Sequence, residues 1–193
     1  IIVVDDGNDE KNKNAIAEVV KNHPLCVLVT RQKNGGKGKA LADGVRKADE
    51  LGLTHVLQID SDGQHDAERV AHFVEVSKKN PDAIICAYPE YDESAPKHRV
   101  NGRTIANAWI HTVTLSKQIK DGMIGFRIYP VAPYVKLLNS HAIIDARMGY
   151  DIDILVRLFW KNVPVICESV KVTYPVDGVS NFRVIRDNIR ISL

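Results

Sequence analysis

Four apolar runs dominate the first half of the chain: IIVV at 1–4, LCVLVT at 25–30, HVLQID at 55–60 and AIICAY at 83–88. Unbroken apolar runs of this length suit strands buried on both faces. Between them lie stretches with helical spacing. Ile16, Val19 and Val20 share a face in a helix over 14–21, which the NHP triplet ends. A glycine-rich basic loop, RQKNGGKGKA, leads into a helix over 39–51. A third helix runs to Lys79, with Asp66 placed to cap it by accepting from free N–H groups. Strands alternating with helices predict a doubly wound, mostly parallel α/β sheet. Ligands bind such sheets beyond the carboxyl ends of the strands. Asp5 and Asp6, the 34–37 loop and the 60–64 segment all follow strands, so they should meet on one rim.

The second half is less regular. A polar loop, YPEYDESAPK, precedes a helix over 100–115. DGMIGFRIYP reads as a turn entering a strand, 148–160 as an amphipathic helix, and VPVICESVKVTY as a last strand. Residues 181–193 read as an amphipathic helix with Phe182, Ile185, Ile189 and Leu193 on one stripe and Arg183, Arg186 and Arg190 on another, which either packs on its own domain or lies on an anionic membrane. There is no repeat and no linker. The expectation is one domain over 1–193, with a nucleotide-binding half at 1–95 and an acceptor half at 96–193.

Composition narrows the function classes. A net charge of +2 is too near neutral to argue for nucleic-acid binding. Cys26, Cys86 and Cys167 each sit in an apolar run, as reduced, packed thiols of a cytoplasmic protein do. No apolar run approaches the roughly 20 residues that span a bilayer, so any membrane contact is expected to be peripheral, at the inner face. The chain starts inside a strand without Met, which leads us to expect a fragment of a longer protein.

The strand HVLQID ends in Asp60, followed by Asp62 and Gln64. Alternation points the two carboxylates to the same side. Two like charges placed together call for a cation, and hard oxygen donors suit Mg²⁺ or Mn²⁺ bridged to phosphate. A surface turn is the plainer alternative. Asp5-Asp6-Gly7 is either a turn or a carboxylate for the base or ribose of a nucleotide. The 34–39 loop is either a flexible basic turn or an anion site at a helix start, and its spacing matches neither GxxxxGK[ST] nor GxGxxG. Asp151 and Asp153 open a helix. The helix dipole accounts for one, and the other could be a general base, for which Asp153 is the choice. Asp121 with Gly125, Phe126 and Arg127 could meet a substrate; otherwise Phe126 packs and Arg127 is a surface residue. Lys37, Arg99, Arg103 and Arg127 are candidate cations for a leaving diphosphate.

Taken in order, IIVVDDGND, NGGKGKALADGV, LQIDSDGQHDAERV, DGMIGFRIYP, GYDIDILVRLFWKNVPV and VKVTYPVDGVSNF resemble family 2 glycosyltransferases, in the branch similar to dolichyl-phosphate mannose synthase. The resemblance implies a GT-A fold and inverting transfer of a sugar from a nucleotide-diphosphate donor to a lipid-phosphate or hydroxyl acceptor. It implies that Asp5 and Asp6 face the nucleotide. Asp60, Asp62 and Gln64 would hold nucleotide and metal, Asp121 would lie by donor and acceptor, and Asp151 or Asp153 would stand at the acidic position of many relatives. Three features depart from the pattern. The strand and PxYN-like turn that open relatives are absent, which predicts a missing N-terminal strand. The acidic position, often Glu, is Asp. No Arg precedes Gly178 and Ser180. The rival readings are a sugar-nucleotide pyrophosphorylase, a receiver domain phosphorylated on Asp60, and a dehydrogenase, the last lacking any GxGxxG after a strand.

Overall fold

The computed structural model describes residues 1–59, 67–90, 97–140, 142–147 and 149–171, with 97–100 as backbone. Asp60, Asp62, Gln64, the Asp66 cap, the side chain of Arg99 and the whole helix expected over 181–193 lie outside the described residues. The chain runs β1 (Ile2–Asp5), α1 (Glu10–Lys21), β2 (Val27–Thr30), α2 (Lys37–Glu50), β3 (His55–Gln58), α3 (Arg69–Lys79), β4 (Ile84–Glu90), α4 (Lys97–Thr114), β5 (Arg127–Pro130), α5 (Val131–Leu138), α6 (Tyr150–Trp160) and β6 (Val165–Lys171).

The strands fall into two sheets. β1 and β2 pair in parallel, with Ile2 opposite Val27 and Asp5 opposite Thr30. The other four take the order β3-β5-β4-β6. β4 and β6 are parallel, while β5 runs antiparallel between β3 and β4. Among the described residues, β1 and β3 are not hydrogen-bonded to each other, although α2 packs on both. The α/β class expected from the sequence holds, with β5 as its antiparallel member.

β4 shows why the larger sheet is buried on both faces. Ile84 and Cys86 enter one core with Ile110, Leu155 and Leu158. Ile85 and Ala87 point the other way into a second core, where Phe73 stacks on Phe126 at 4.4 Å between ring centroids. α1 begins earlier than its apolar spacing indicates, because the Asp9 side chain accepts from Asn12 N–H at 2.8 Å and caps it. α1 buries none of its own residues. No described helix is long and apolar enough to cross a membrane.

Candidate active site

The carboxyl ends of β1, β2 and β3 bring Asp5, Arg31 and Gln58 to one rim. The adjacent aspartates do different things. Asp6 uses both carboxylate oxygens on the glycine-rich loop, accepting from Gly35 N–H at 2.9 Å and Gly36 N–H at 2.8 Å. Arg31 Nε lies 2.8 Å from Asp6, as an ion pair, and the same guanidinium reaches Asp43. Asp5 is 2% exposed. Its Oδ1 accepts from Asn8 N–H at 3.1 Å and from Asn8 Nδ2 at 2.6 Å, and its Oδ2 is buried with no hydrogen-bond partner among the described residues. Beside Arg31 an open cleft of about 500 Å³ is lined by Thr30, Gln32, Lys33 and Asp43.

The glycine-rich loop is a docking element. Gly36 has φ +92°, a conformation that favours glycine. Gly38 donates to Ala146 C=O at 3.0 Å, and a Cβ at Gly38 would sit 2.5 Å from the Tyr150 ring. The amides of Gly35, Gly36 and Gly38 are therefore engaged within the protein. The anion-cradle reading of this loop loses those three donors. The loop joins α2 to the segment before α6, and Lys37 Nζ completes the join at 2.8 Å from Asp151 Oδ2.

Asp151 and Asp153 lie on different sides of α6. Asp151 is buried and accepts from Gln58 Nε2 at 2.7 Å, so it ties the end of β3 to α2 and α6. Asp153 pairs with Arg157 and accepts from Asp145 N–H at 2.9 Å, so it orders the 145–149 loop. Nothing at the level of sequence separates the two roles. Gln58 is a polar residue interrupting an apolar strand, and that was the available sign of its part in the site.

Arg127 is neither a surface residue nor open to a ligand. It is 0% exposed and donates to Tyr129 Oη at 2.9 Å, to Asp151 C=O at 2.6 Å and to Gly122 C=O at 2.7 Å. Burial works against its charge, yet Tyr129, Cys86 and Asp151 around it hold its pKa above the ordinary value. Asp121 is equally enclosed. Its Oδ1 accepts from Met123 and Ile124 N–H at 2.9 and 2.8 Å, which fixes the turn before β5. Its Oδ2 faces Asn107 Nδ2 at 3.3 Å and Arg103 Nη1 at 3.5 Å. Arg103 and Asn107 come from α4. With Tyr88, Thr104 and Lys120 they line a cavity of about 120 Å³, where Lys120 Nζ stands 4.2 Å from the centroid of the Tyr88 ring. Arg103 was expected at the site; Lys120 and Tyr88 were not.

Among the described residues, no three His, Cys, Asp or Glu side chains are grouped to hold a metal ion. The metal assignment thus rests on Asp60, Asp62 and Gln64, whose two carboxylates and one amide oxygen are the hard donor set that Mg²⁺ and Mn²⁺ take.

Comparison with known proteins bears on this arrangement. The family model described as "Glycosyl transferase family 2" matches residues 1–141. A dolichyl-phosphate beta-glucosyltransferase of Trichomonas vaginalis is 30% identical over 141 residues, covering 67% of this chain and 40% of that protein. The crystal structure of glucosyl-3-phosphoglycerate synthase from Mycobacterium tuberculosis superposes with a TM-score of 0.65 at 16% identity, covering 92% of this chain and 61% of that one. A structure of the same synthase with Mn²⁺ and UDP-glucose gives 0.59 at 18% identity, covering 91% and 61%. The chain therefore spans about two fifths to three fifths of the length of these proteins. It has the GT-A fold, and it belongs to glycosyl transferase family 2.

Proposed function

We propose that the protein transfers a sugar, with inversion, from a nucleotide-diphosphate donor to a phosphate carried on a lipid. The observation that carries the donor half of this reading is Asp5. A buried carboxylate oxygen without a donor is costly, and this one sits at the carboxyl end of β1, opposite Thr30, which lines the open cleft with Arg31, Lys33 and Asp43. An imide N–H of a base or a ribose hydroxyl supplies the missing donor. Asp6 supports the same cleft indirectly by holding the glycine-rich loop and Arg31.

Asp60, Asp62 and Gln64 would hold Mg²⁺ or Mn²⁺. When bound, such an ion stabilises negative charge developing on the leaving diphosphate. The M. tuberculosis synthase complex with Mn²⁺ and UDP-glucose supports a divalent ion in proteins of this fold.

The acceptor half rests on which carboxylates are engaged. A hydroxyl acceptor needs a base to take its proton as the new bond forms. Asp151 is bound by Lys37 and Gln58, and Asp153 by Arg157 and Asp145 N–H. A phosphate acceptor is already an anion near neutral pH and needs no such base. Its oxygen attacks the anomeric carbon, the bond to the diphosphate breaks, and the electron pair leaves with the nucleotide diphosphate. Arg103 and Lys120, at the cavity, are placed to receive the acceptor phosphate. Arg99, four residues before Arg103, is a further candidate. Arg127, Asp121 and Asp151 act here as positioning residues. The similarity to a dolichyl-phosphate beta-glucosyltransferase favours this acceptor class.

The test is calorimetry with nucleoside diphosphates and Mn²⁺, followed by transfer assays on a lipid phosphate and on its dephosphorylated alcohol. We expect Asp62→Asn to abolish metal-dependent nucleotide binding. Asp153→Asn should leave transfer to the phosphate largely intact. Wild-type affinity in Asp62→Asn, or transfer to the alcohol alone, refutes the proposal.

A further inference from the structure

The outward face of α4 carries an apolar patch at Ile105, Ala108 and Trp109, bordered by the exposed Asn101, Thr104 and Thr112. Ile105, Ala108, Trp109 and Thr112 are exposed at the i, i+3, i+4, i+7 spacing of one helix face, opposite the buried Ala106 and Ile110. Ile105 is 67% exposed and Trp109 43%. Leu115, just past the end of α4, is 93% exposed. Trp160, the last residue of α6, is 56% exposed and donates its indole N–H to Val113 C=O at 3.1 Å, one turn beyond Trp109. That bond satisfies the polar end of the ring and leaves its apolar part outward. The chain has two tryptophans, and both are on this face.

Within residues 101–120, which cover the described side chains of α4 and the segment after it, every charged side chain is basic. Residues 97–120 contain Lys97, Arg99, Arg103, Lys117 and Lys120 and no aspartate or glutamate. Lys161 follows Trp160 directly. Lys117, Lys120 and Lys161 are exposed. In a chain whose net charge is only +2, this concentration is local.

We infer that the outer face of α4, with Leu115 and Trp160, is a docking surface for an anionic lipid bilayer. Tryptophan favours the level of the headgroups, where an apolar body and a polar edge are both accommodated. Exposed lysines beside an apolar stripe add attraction to anionic headgroups. A second copy of this chain fits the face poorly, because it would set basic rims against each other with no acidic residue from 97–120 to answer them. The sequence raised membrane contact at 181–193, which lies outside the described residues; this surface is built from a different stretch of the chain. Thr104 lies on the exposed side of α4 and also lines the cavity holding Arg103 and Lys120. Adsorption here would bring that cavity to the headgroup level, where a lipid phosphate is presented. This last step rests on the proposed function; the adsorption does not.

Both tryptophans report the contact. The protein is titrated with vesicles of phosphatidylcholine plus phosphatidylglycerol, and with phosphatidylcholine alone, reading emission wavelength and co-sedimentation. The expected result is a blue shift and co-sedimentation with the anionic vesicles, and little of either with the neutral ones. Ile105→Ser with Leu115→Ser changes only exposed side chains and should weaken partitioning at least about tenfold. Lys117→Glu with Lys161→Glu should do the same through charge, by about tenfold or more. Unshifted emission on anionic vesicles overturns the inference, as does wild-type partitioning of both double variants. So does a blue shift that grows with protein concentration without lipid and accompanies a dimer mass. Nucleotide calorimetry on the same preparations separates the two proposals: vesicle binding without nucleotide binding removes the enzyme reading and leaves the surface standing.

Discussion

Asp5 and Asp6 are identical in chemistry and adjacent in sequence, yet they call for opposite experiments. Asp6 satisfies two backbone amides and an arginine. Asp6→Ala is expected to lower stability by about 2–3 kcal/mol, because two loop amides and a charge lose their partner; thermal unfolding reads this directly. Asp5 carries an unsatisfied oxygen. Asp5→Asn keeps an oxygen for the two Asn8 donors and should leave the melting temperature nearly unchanged, while weakening nucleotide affinity by about tenfold or more, the worth of one hydrogen bond to a charged group. A sequence cannot separate the pair, since the difference lies in residues 29 and 30 positions further on. Cys86 illustrates a residue whose environment the sequence did foretell. Its apolar run indicated a packed thiol, and burial pushes that thiol up to about 12 from 9.0. Above pH 9 the unfolded chain releases this proton while the folded chain keeps it. The folded state then binds more protons, so stability falls as pH rises from about 9 to about 12. Cys86→Ala should flatten that alkaline limb in urea titrations run across the window, and an unchanged slope would show that the buried tyrosines alone set it.

At the level of elements, the strands and most helices were readable because each run carries its own period. What was not readable depends on contacts between elements. β5 runs antiparallel because of where α4 and the Asp121 turn leave the chain, and RIYP has no signal for direction. α5 begins immediately at the end of β5, with Pro130 as its N-cap, and no polar break marks the change. The glycine-rich loop read as either a flexible basic turn or an anion site, because glycines and lysines at a helix start suit both. Here they permit close approach of α2 to α6. Gly38→Ala would place a methyl group 2.5 Å from the Tyr150 ring, within a buried cluster where Tyr150 also meets Tyr134 Oη at 2.9 Å. A loss of about 1–3 kcal/mol is expected from overpacking, measured by denaturant unfolding. A neutral result would mean the two helices can separate without cost.

For the whole molecule, the question is how the first and second halves of the chain are held in one frame. The sequence suggested the two halves but not their connection. Arg127, read as a surface or substrate-facing residue, turns out to lie fully inside and to brace Gly122 against Asp151. Lys37 and Asp151, 114 positions apart, form the ion pair that joins α2 to α6. Asp151 is buried while Lys37 is half-buried, so removing Lys37 strands the carboxylate but water screens part of the loss. Lys37→Met should therefore cost about 1–2 kcal/mol, Gln58 still donating to Asp151. Asp151→Asn should cost a similar amount, and the double variant less than the sum. A double-mutant cycle by urea unfolding gives the coupling, expected at about 1–3 kcal/mol for neighbours in one network. If the coupling were near zero while each single change impaired sugar transfer, the pair would be acting on the substrate itself. If the coupling is large and transfer falls in proportion to it, with nucleotide affinity unchanged, the pair serves to hold α2 against α6 rather than to touch substrate.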